Sequence, residues 1–204
     1  MKSVILITLF SVWSQILFAQ EKFNFKAHSL EKIFKYEKRF NSHMKDTVDF
    51  SYLADPLRDN YTLVKSTAYI FERVHDDFTP RLHVWYMFSN ETHKLGEVYY
   101  HWGYYNPAFD PDSNRELMEA LTKKEDVFQK KYNELYTYLL ARFGSTVKTD
   151  TIDNKNKLIK SDYWETKDKI IKLSMHFSRN IIEIPGVGIA PNFFRIGVTV
   201  HFKE

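Results

Sequence analysis

The chain has 204 residues, of which 44% are hydrophobic and 17% aromatic, and this length suits one globular domain with a buried core. Its formal net charge of +3 arises from 29 basic and 26 acidic residues that are interspersed, without the dense basic block that would indicate nucleic-acid binding. Cysteine is absent, which excludes a disulfide framework, a thiol nucleophile and a cysteine-linked lipid in this chain.

Residues 1–19 predict a secretory signal peptide. Lys2 precedes an apolar run from Val4 to Phe10, and Ala19 is followed by polar residues. Leu17 departs from the pattern, because a small residue is preferred three positions before the cut. A membrane anchor is the alternative, although the run is shorter than the ~20 apolar residues of a spanning helix. We therefore expect a periplasmic or secreted protein whose residues 20–204 form a single domain without a transmembrane segment.

The first half of this domain predicts a short helix followed by three strands. Ser29–Phe40 has an amphipathic pattern, and turn-forming pairs such as Asp55-Pro56 follow it. Thr67–His75, Arg81–Ser89 and Leu95–Trp102 are rich in aromatic and branched residues and are separated by five-residue connections. Such lengths favour hairpins, so the three strands predict an antiparallel β-meander.

Strand alternation sorts the side chains of this meander onto two faces, provided that His75 pairs with Arg81 and Ser89 with Leu95. One face is nearly all apolar and predicts a core: Ala68, Ile70, Val74, Leu82, Val84, Tyr86, Phe88, Val98, Tyr100 and Trp102, with Glu72 its one charged residue. The other face stacks side chains in rows across the strands: Phe71, Trp85 and Tyr99; Arg73, His83 and His101; Tyr69, Met87 and Glu97.

Ser113–Gly144 predicts one long central helix. Apolar residues recur at helical period, Ser113 with Glu116 forms a capping box, and Gly144 suits the end of a helix. A second capping box, Thr122 with Glu125, leaves open a broken helix pair. The apolar stripe is formed by Leu117, Leu121, Phe128, Tyr132, Leu135 and Leu139, and we expect it to cover the apolar face of the meander.

The second half predicts a further antiparallel β-meander. Lys157–Glu165 and Lys169–Ser178 form a hairpin pattern, and Phe194–Phe202 alternates as a half-buried strand. Together these elements predict an α+β fold in which two meanders and the helix pack as one domain.

The histidines raise the possibility of a metal site. His75, Asp77, His83 and His101 lie on or near one face, but zinc needs three or four ligands at about 2.0–2.2 Å, and Arg73 beside them would repel a cation. The row of Arg73, His83 and His101 suits an anion better. We therefore predict neither a metal nor a cofactor.

No catalytic motif is present, since the chain lacks a nucleophile elbow, a Walker loop and a zinc-binding H-E-x-x-H helix. We therefore expect no catalytic residue, and an exported envelope protein that binds a protein or glycan partner. The alternative is a small exported hydrolase with a His/carboxylate site. The predicted binding residues are Phe71, Arg73, His83, Trp85, Tyr99 and His101, because tyrosine and tryptophan supply stacking surfaces and interface anchors.

Overall fold

The computed structural model describes residues 23–53, 56–57, 63–73, 80–103, 119–180, 183–184, 188–189 and 194–203. Its elements, in chain order, are α1 Leu30–Lys38, β1 His43–Leu53, β2 Leu63–Arg73, β3 Leu82–Ser89, β4 Leu95–Gly103, α2 Glu125–Phe143, β5 Lys148–Asp153, β6 Lys157–Glu165, β7 Lys169–Ser178, β8 Glu183–Ile184, β9 Gly188–Ile189 and β10 Phe194–Phe202. No helix among the described residues is long and apolar enough to cross a membrane.

Eight strands form one antiparallel sheet, and β8 and β9 pair separately. The order in the large sheet is β1-β2-β3-β4-β10-β7-β6-β5, so β10 lies in the middle and pairs with both β4 and β7. The prediction of an antiparallel α+β fold is confirmed. The two groups of strands are not two packed meanders, because β10 joins them edge to edge into one sheet.

The sequence analysis did not predict the two edge strands, β1 and β5. All six residues of β5 are exposed, and β1 is exposed along most of its length. Charged, solvent-facing edges hinder pairing with other chains, and they also weaken the apolar alternation by which strands are recognised. The bounds of β6, β7 and β10 are those predicted.

The main core lies on one face of the sheet, here called the helix face. The core is covered by α1, by α2 and by the rings of Phe23 and Phe25. Helix α2 packs mainly on β7 and also on β10. We expected its apolar stripe to pack on Ile70, Val84, Tyr86 and Val98 of β2, β3 and β4. That prediction is wrong, because the helix lies over the other half of the sheet. Over the first half of the sheet, Phe23 instead packs edge to face on Tyr100, with ring centroids 4.8 Å apart.

Helix α2 begins at Glu125, after a break at Lys123 and Lys124, so the described part of the predicted helix is interrupted. Thr122 does not cap α2; its hydroxyl donates to the carbonyl of Glu119 at 2.8 Å in the helical turn 119–122. Ser113 and Glu116 lie outside the described residues. The predicted stripe of Phe128, Tyr132, Leu135 and Leu139 is buried.

Gly144 ends α2, as predicted. Its φ of 79° and ψ of −155° place it in a region that is essentially restricted to glycine. Its N–H donates to the carbonyl of Leu140, and its own carbonyl accepts the indole N–H of Trp164 at 2.8 Å. The end of the helix is thus fixed to β6.

Helix α1 is joined to the sheet by an ion pair between Glu37 and Arg73. The guanidinium of Arg73 donates twice to the carboxylate, from Nη2 at 2.6 Å and from Nε at 3.0 Å. Tyr86 and Ser42 also donate to this carboxylate. Arg73 therefore lies on the helix face, and its placement in the row with His83 and His101 is wrong.

Candidate functional site

His83, Trp85, Tyr99 and His101 lie together on the face of the sheet opposite the helices, and we call them the aromatic–histidine face. His83 pairs with His101 and Trp85 pairs with Tyr99 across β3 and β4, as predicted. Leu95, however, pairs with Phe88 and not with Ser89, because the register shifts between Met87 and Phe88. All four side chains are half-buried.

Phe71 and Arg73 do not belong to this face, because the register between β2 and β3 differs by one residue from the predicted one. Ile70 pairs with Trp85 and Glu72 pairs with His83, so Phe71 and Arg73 face the helices. A slip of one residue moves every side chain of a strand to the other face. On the helix face, the ring of Phe71 packs edge to face on Phe34 and Tyr86, and Arg73 forms an ion pair with Glu37.

The same shift corrects other predicted positions. Ala68, Ile70 and Glu72 were expected in the main core, but they lie on the opposite face, where Ala68 belongs to a second hydrophobic cluster. Tyr69 was expected beside Met87 and Glu97, but it packs on Phe88 of the helix face instead.

Glu72 brings charge to one end of the aromatic–histidine face. Its carboxylate lies 2.7 Å from Arg81, 3.3 Å from Lys45 and 3.5 Å from Nε2 of His83. Burial alone would raise the pKa of Glu72, but hydrogen bonds from Arg81 and Lys45 outweigh it and lower the pKa below the usual value. This end of the face is therefore a network of opposite charges.

Two glycines allow Tyr99 and His101 to lie against the sheet. A Cβ on Gly197 of β10 would fall 2.5 Å from Cε2 of Tyr99, and a Cβ on Gly103 would fall 2.3 Å from Nε2 of His101. The two rings stack on each other with centroids 5.2 Å apart and planes 21° apart. Tyr99 and His101 thus form a platform that exists because both glycines lack a side chain.

Strand β1 folds over the edge of this face. Phe50 packs edge to face on Trp85 of β3 at 5.6 Å, and the ring of Tyr52 lies 6.4 Å from that of His201 of β10. Because β2, β3 and β4 separate β1 from β10, the sheet must curl to bring these rings together. Tyr52, Ala68 and Met87 form the centre of the second cluster, against which Trp85 and Tyr99 pack.

The indole N–H of Trp85, on the inner side of the curled sheet, is an unsatisfied hydrogen-bond donor. Its indole Nε1 is buried and has no hydrogen-bond acceptor among the described residues. Buried donors are normally paired, so an orphan in a native structure needs a physical reason, such as a ligand or an ordered water.

The imidazoles of the face are neutral at pH 7. Burial, with help from His83 and Arg195, lowers the pKa of His101 to about 4. Burial also lowers the pKa of His83, although Glu72 acts in the opposite direction. Burial raises the pKa of the Tyr99 hydroxyl to about 12. Because Arg73 lies on the other face and the two histidines are neutral, the predicted cationic row of Arg73, His83 and His101 does not form.

The described residues offer no metal centre, since nowhere among them do three or more His, Asp or Glu side chains gather. Of the ligands considered from the sequence, His83 and His101 are adjacent, whereas His75 and Asp77 lie outside the described residues.

Sequence analysis missed the contributions of β1 and of the two glycines. Val48, Phe50 and Tyr52 alternate with polar residues, which is a strand signal that could have located β1. No sequence signal links Gly197 to Tyr99, because that contact depends on β10 pairing with β4.

Comparison with protein-family models, curated proteins and solved structures finds no significant match. The function is therefore inferred from the geometry.

Proposed function

We propose that the protein is an exported binding protein without catalytic activity, and that the aromatic–histidine face holds its partner. Of the two partner classes that the sequence suggests, a glycan fits this face better than a protein. The observation that carries the proposal is the near-parallel Tyr99–His101 stack beside the orphan indole N–H of Trp85.

The near-parallel, neutral rings of Tyr99 and His101 favour a sugar. The C–H groups of a pyranose pack on the face of an aromatic ring, whereas a ring standing on edge offers little area. Tyr99 and His101 lie close against Gly197 and Gly103 with their planes 21° apart, and the low pKa of His101 keeps its imidazole uncharged. Protein anchors, in contrast, usually protrude into or fill a pocket.

Polar groups beside the rings match the hydroxyls of a sugar. The indole N–H of Trp85 can donate to a sugar oxygen, and the imidazole of His83, whose side chain is 26% exposed, can exchange a hydrogen bond with a sugar hydroxyl. A buried donor without a partner costs about 1–3 kcal/mol, so a ligand that accepts from Trp85 would recover that cost on binding.

The hydrolase alternative lacks a supporting arrangement among the described residues. His83 and Glu72 are close, but Arg81 and Lys45 hold the same carboxylate and lower its pKa, which makes it a poor general base. Glu97 and His201 lie 2.9 Å apart but are 6% and 5% exposed, so a substrate could not reach them.

Binding to a panel of immobilised glycans tests the proposal, using wild type, Trp85→Phe and the control Phe34→Ala. Trp85→Phe removes the N–H while keeping an aromatic ring, so affinity should fall about three- to tenfold, the value of one hydrogen bond. Phe34 is an exposed ring on α1, on the other side of the sheet, and its loss should leave binding unchanged. Equal affinity of Trp85→Phe and wild type would contradict the proposed site.

Export is the second part of the proposal. It rests on the apolar run Val4–Phe10 and on Ala19 before a polar segment. Mass analysis of the secreted or periplasmic protein should find an N-terminus at Gln20. An intact Met1 in that fraction would contradict cleavage after Ala19.

A further inference from the structure

A separate cleft of about 740 Å³ opens on the helix face, at the end of the sheet where the β3–β4 turn lies. We call it the basic cleft. Its walls come from the segment before α1, from β2, β3 and β4, from the β3–β4 turn and from the end of β10. The residues that matter for its chemistry are His28, Tyr69, Phe88, His93, Lys94 and Phe202.

The floor of the basic cleft is aromatic. Tyr69 and Phe88 pack edge to face with centroids 5.8 Å apart, and both contact the main core together with Phe202. All three rings are only partly buried, so they present apolar surface to the cleft. This floor can accept an apolar body, since burying apolar area from water is favourable.

The positive charge at the rim of the basic cleft comes from lysines. Lys94 and Lys203 line it beside the imidazoles of His28 and His93, and none of the described lining residues is a carboxylate. Lys94 forms no ion pair among the described residues, whereas Lys203 is held by Glu165. An anionic group entering the cleft would therefore meet positive charge without an acidic competitor in the wall.

Two more lysines strengthen this field. Burial lowers the pKa of His28, and the positive charges of Lys32 and Lys26 lower it further. Neither lysine has an ion-pair partner among the described residues. Lys26, before α1, and Lys32, in the first turn of α1, thus add positive charge near His28 and the cleft.

We propose that the basic cleft binds a small amphipathic organic anion. Its acidic group lies at the rim beside Lys94 and His28, and its apolar body lies on Tyr69, Phe88 and Phe202. The volume agrees with the roughly 300–1,000 Å³ of small-molecule pockets and is larger than a lone inorganic anion needs. This site lies on the other side of the sheet from the aromatic–histidine face, and the inference does not rest on the proposed glycan binding.

The probe for the test is 8-anilinonaphthalene-1-sulfonate, an aromatic sulfonate that fluoresces when it leaves water. We expect saturable binding to the folded protein, displaced by dodecanoate but much less by dodecan-1-ol, which has the same chain length without the charge. Equal displacement by the alcohol would show that the anionic group is not recognised and would overturn the proposal.

Variants locate the probe. Lys94→Gln should weaken binding about threefold, because an exposed charge contributes modestly. Lys172→Gln removes the same charge as Lys94→Gln. Lys172 lies in β7, on the face of the sheet opposite the helix face and the cleft, so this control should not change binding.

Amide chemical shifts distinguish the two faces of the sheet directly. Addition of the sulfonate should shift the amides of Thr67, Asn90 and Leu95, which line the cleft. Shifts confined to His83, Tyr99 and neighbouring residues would place the probe on the aromatic–histidine face and overturn the assignment to the cleft. An absence of saturable binding would overturn it as well.

Discussion

Glu37 and Arg73 form a bidentate ion pair that is almost wholly buried. Glu37 exposes 1% of its surface to solvent and Arg73 exposes 4%. The pair connects α1 to β2, and the guanidinium also lies over the ring of Phe40 with its carbon 4.1 Å from the ring centroid. Tyr86 and Ser42 complete the hydrogen bonding of the carboxylate. Both charges are therefore compensated only while α1 is docked.

Glu37→Gln should lower the free energy of unfolding by about 3–5 kcal/mol, because it leaves the charge of Arg73 buried without its partner. Urea denaturation measures the loss. Glu31→Gln is the matched control, since Glu31 pairs with Lys35 in the same helix but both side chains are exposed. The control should lose less than about 1 kcal/mol. Equal losses would mean that the pair does not fix α1 to the sheet.

Leu135→Ala should cost about 2–5 kcal/mol of unfolding free energy, the usual range for a buried leucine. Leu135 is 6% exposed in the main core, whereas Leu140 in the same helix is 38% exposed. Leu140→Ala should therefore change stability much less. Chemical denaturation of both variants provides the comparison, and a loss below about 0.5 kcal/mol for Leu135→Ala would place that residue on the surface.

Gly197→Ala should displace the ring of Tyr99, since the added methyl would fall 2.5 Å from its Cε2 atom. We expect a loss of about 1–3 kcal/mol in stability from the crowding and a larger proportional loss of glycan affinity. Near-ultraviolet circular dichroism reports the tyrosine environment. Ser174→Ala, at the position paired with Gly197 in β7, is the control and should leave both properties unchanged. Unaltered binding by Gly197→Ala would show that the Tyr99–His101 platform is not used.

Stability should fall as the pH is lowered from about 6.5 towards 4, in part because of His101. Burial lowers its folded-state pKa to about 4 from the usual 6.5, so within this range the unfolded chain binds more protons than the folded one. The contribution of His101 to the free energy of unfolding therefore rises with pH between about 4 and 6.5 and stays constant above pH 6.5. His176 contributes in the same direction, because burial and the positive charge of Arg195 lower its pKa to about 4.

Unfolding measured at several pH values should show a smaller acid loss for His101→Gln than for wild type. The imidazole resonances of His101 in the folded protein should shift near pH 4. A titration near pH 6.5 would indicate a solvated imidazole and contradict the stacked, half-buried ring.

The parts of the fold that could be predicted were those with local periodicity. The apolar stripe of α2 and the strict alternation of β10 appear in their own residues, and the structure has both where the sequence indicates. The predicted pairing of His83 with His101 is found, but its premise is wrong at the turn. Leu95 pairs with Phe88 and not with Ser89, and a register shift between Met87 and Phe88 restores the predicted pairs further along the hairpin.

The errors have a non-local cause. Arg73 was assigned to the wrong face because the register of β2 depends on partners far along the chain, Glu37 for Arg73 and Phe34 for Phe71. The site was likewise incomplete, because Phe50 reaches Trp85 only after the sheet curls, and Gly197 meets Tyr99 only through β10. Local patterns carry no information on these contacts.

The central position of β10 bears on the order in which the protein folds. Until Phe194–Phe202 has been synthesised, β4 and β7 each remain an unpaired edge, and the apolar residues of the two groups of strands cannot unite in one core. Such long-range pairing slows folding and leaves strand edges open to other chains in the interval. A nascent chain of this protein therefore stays dependent on protection from aggregation until β10 is available, however much of the preceding sequence has emerged.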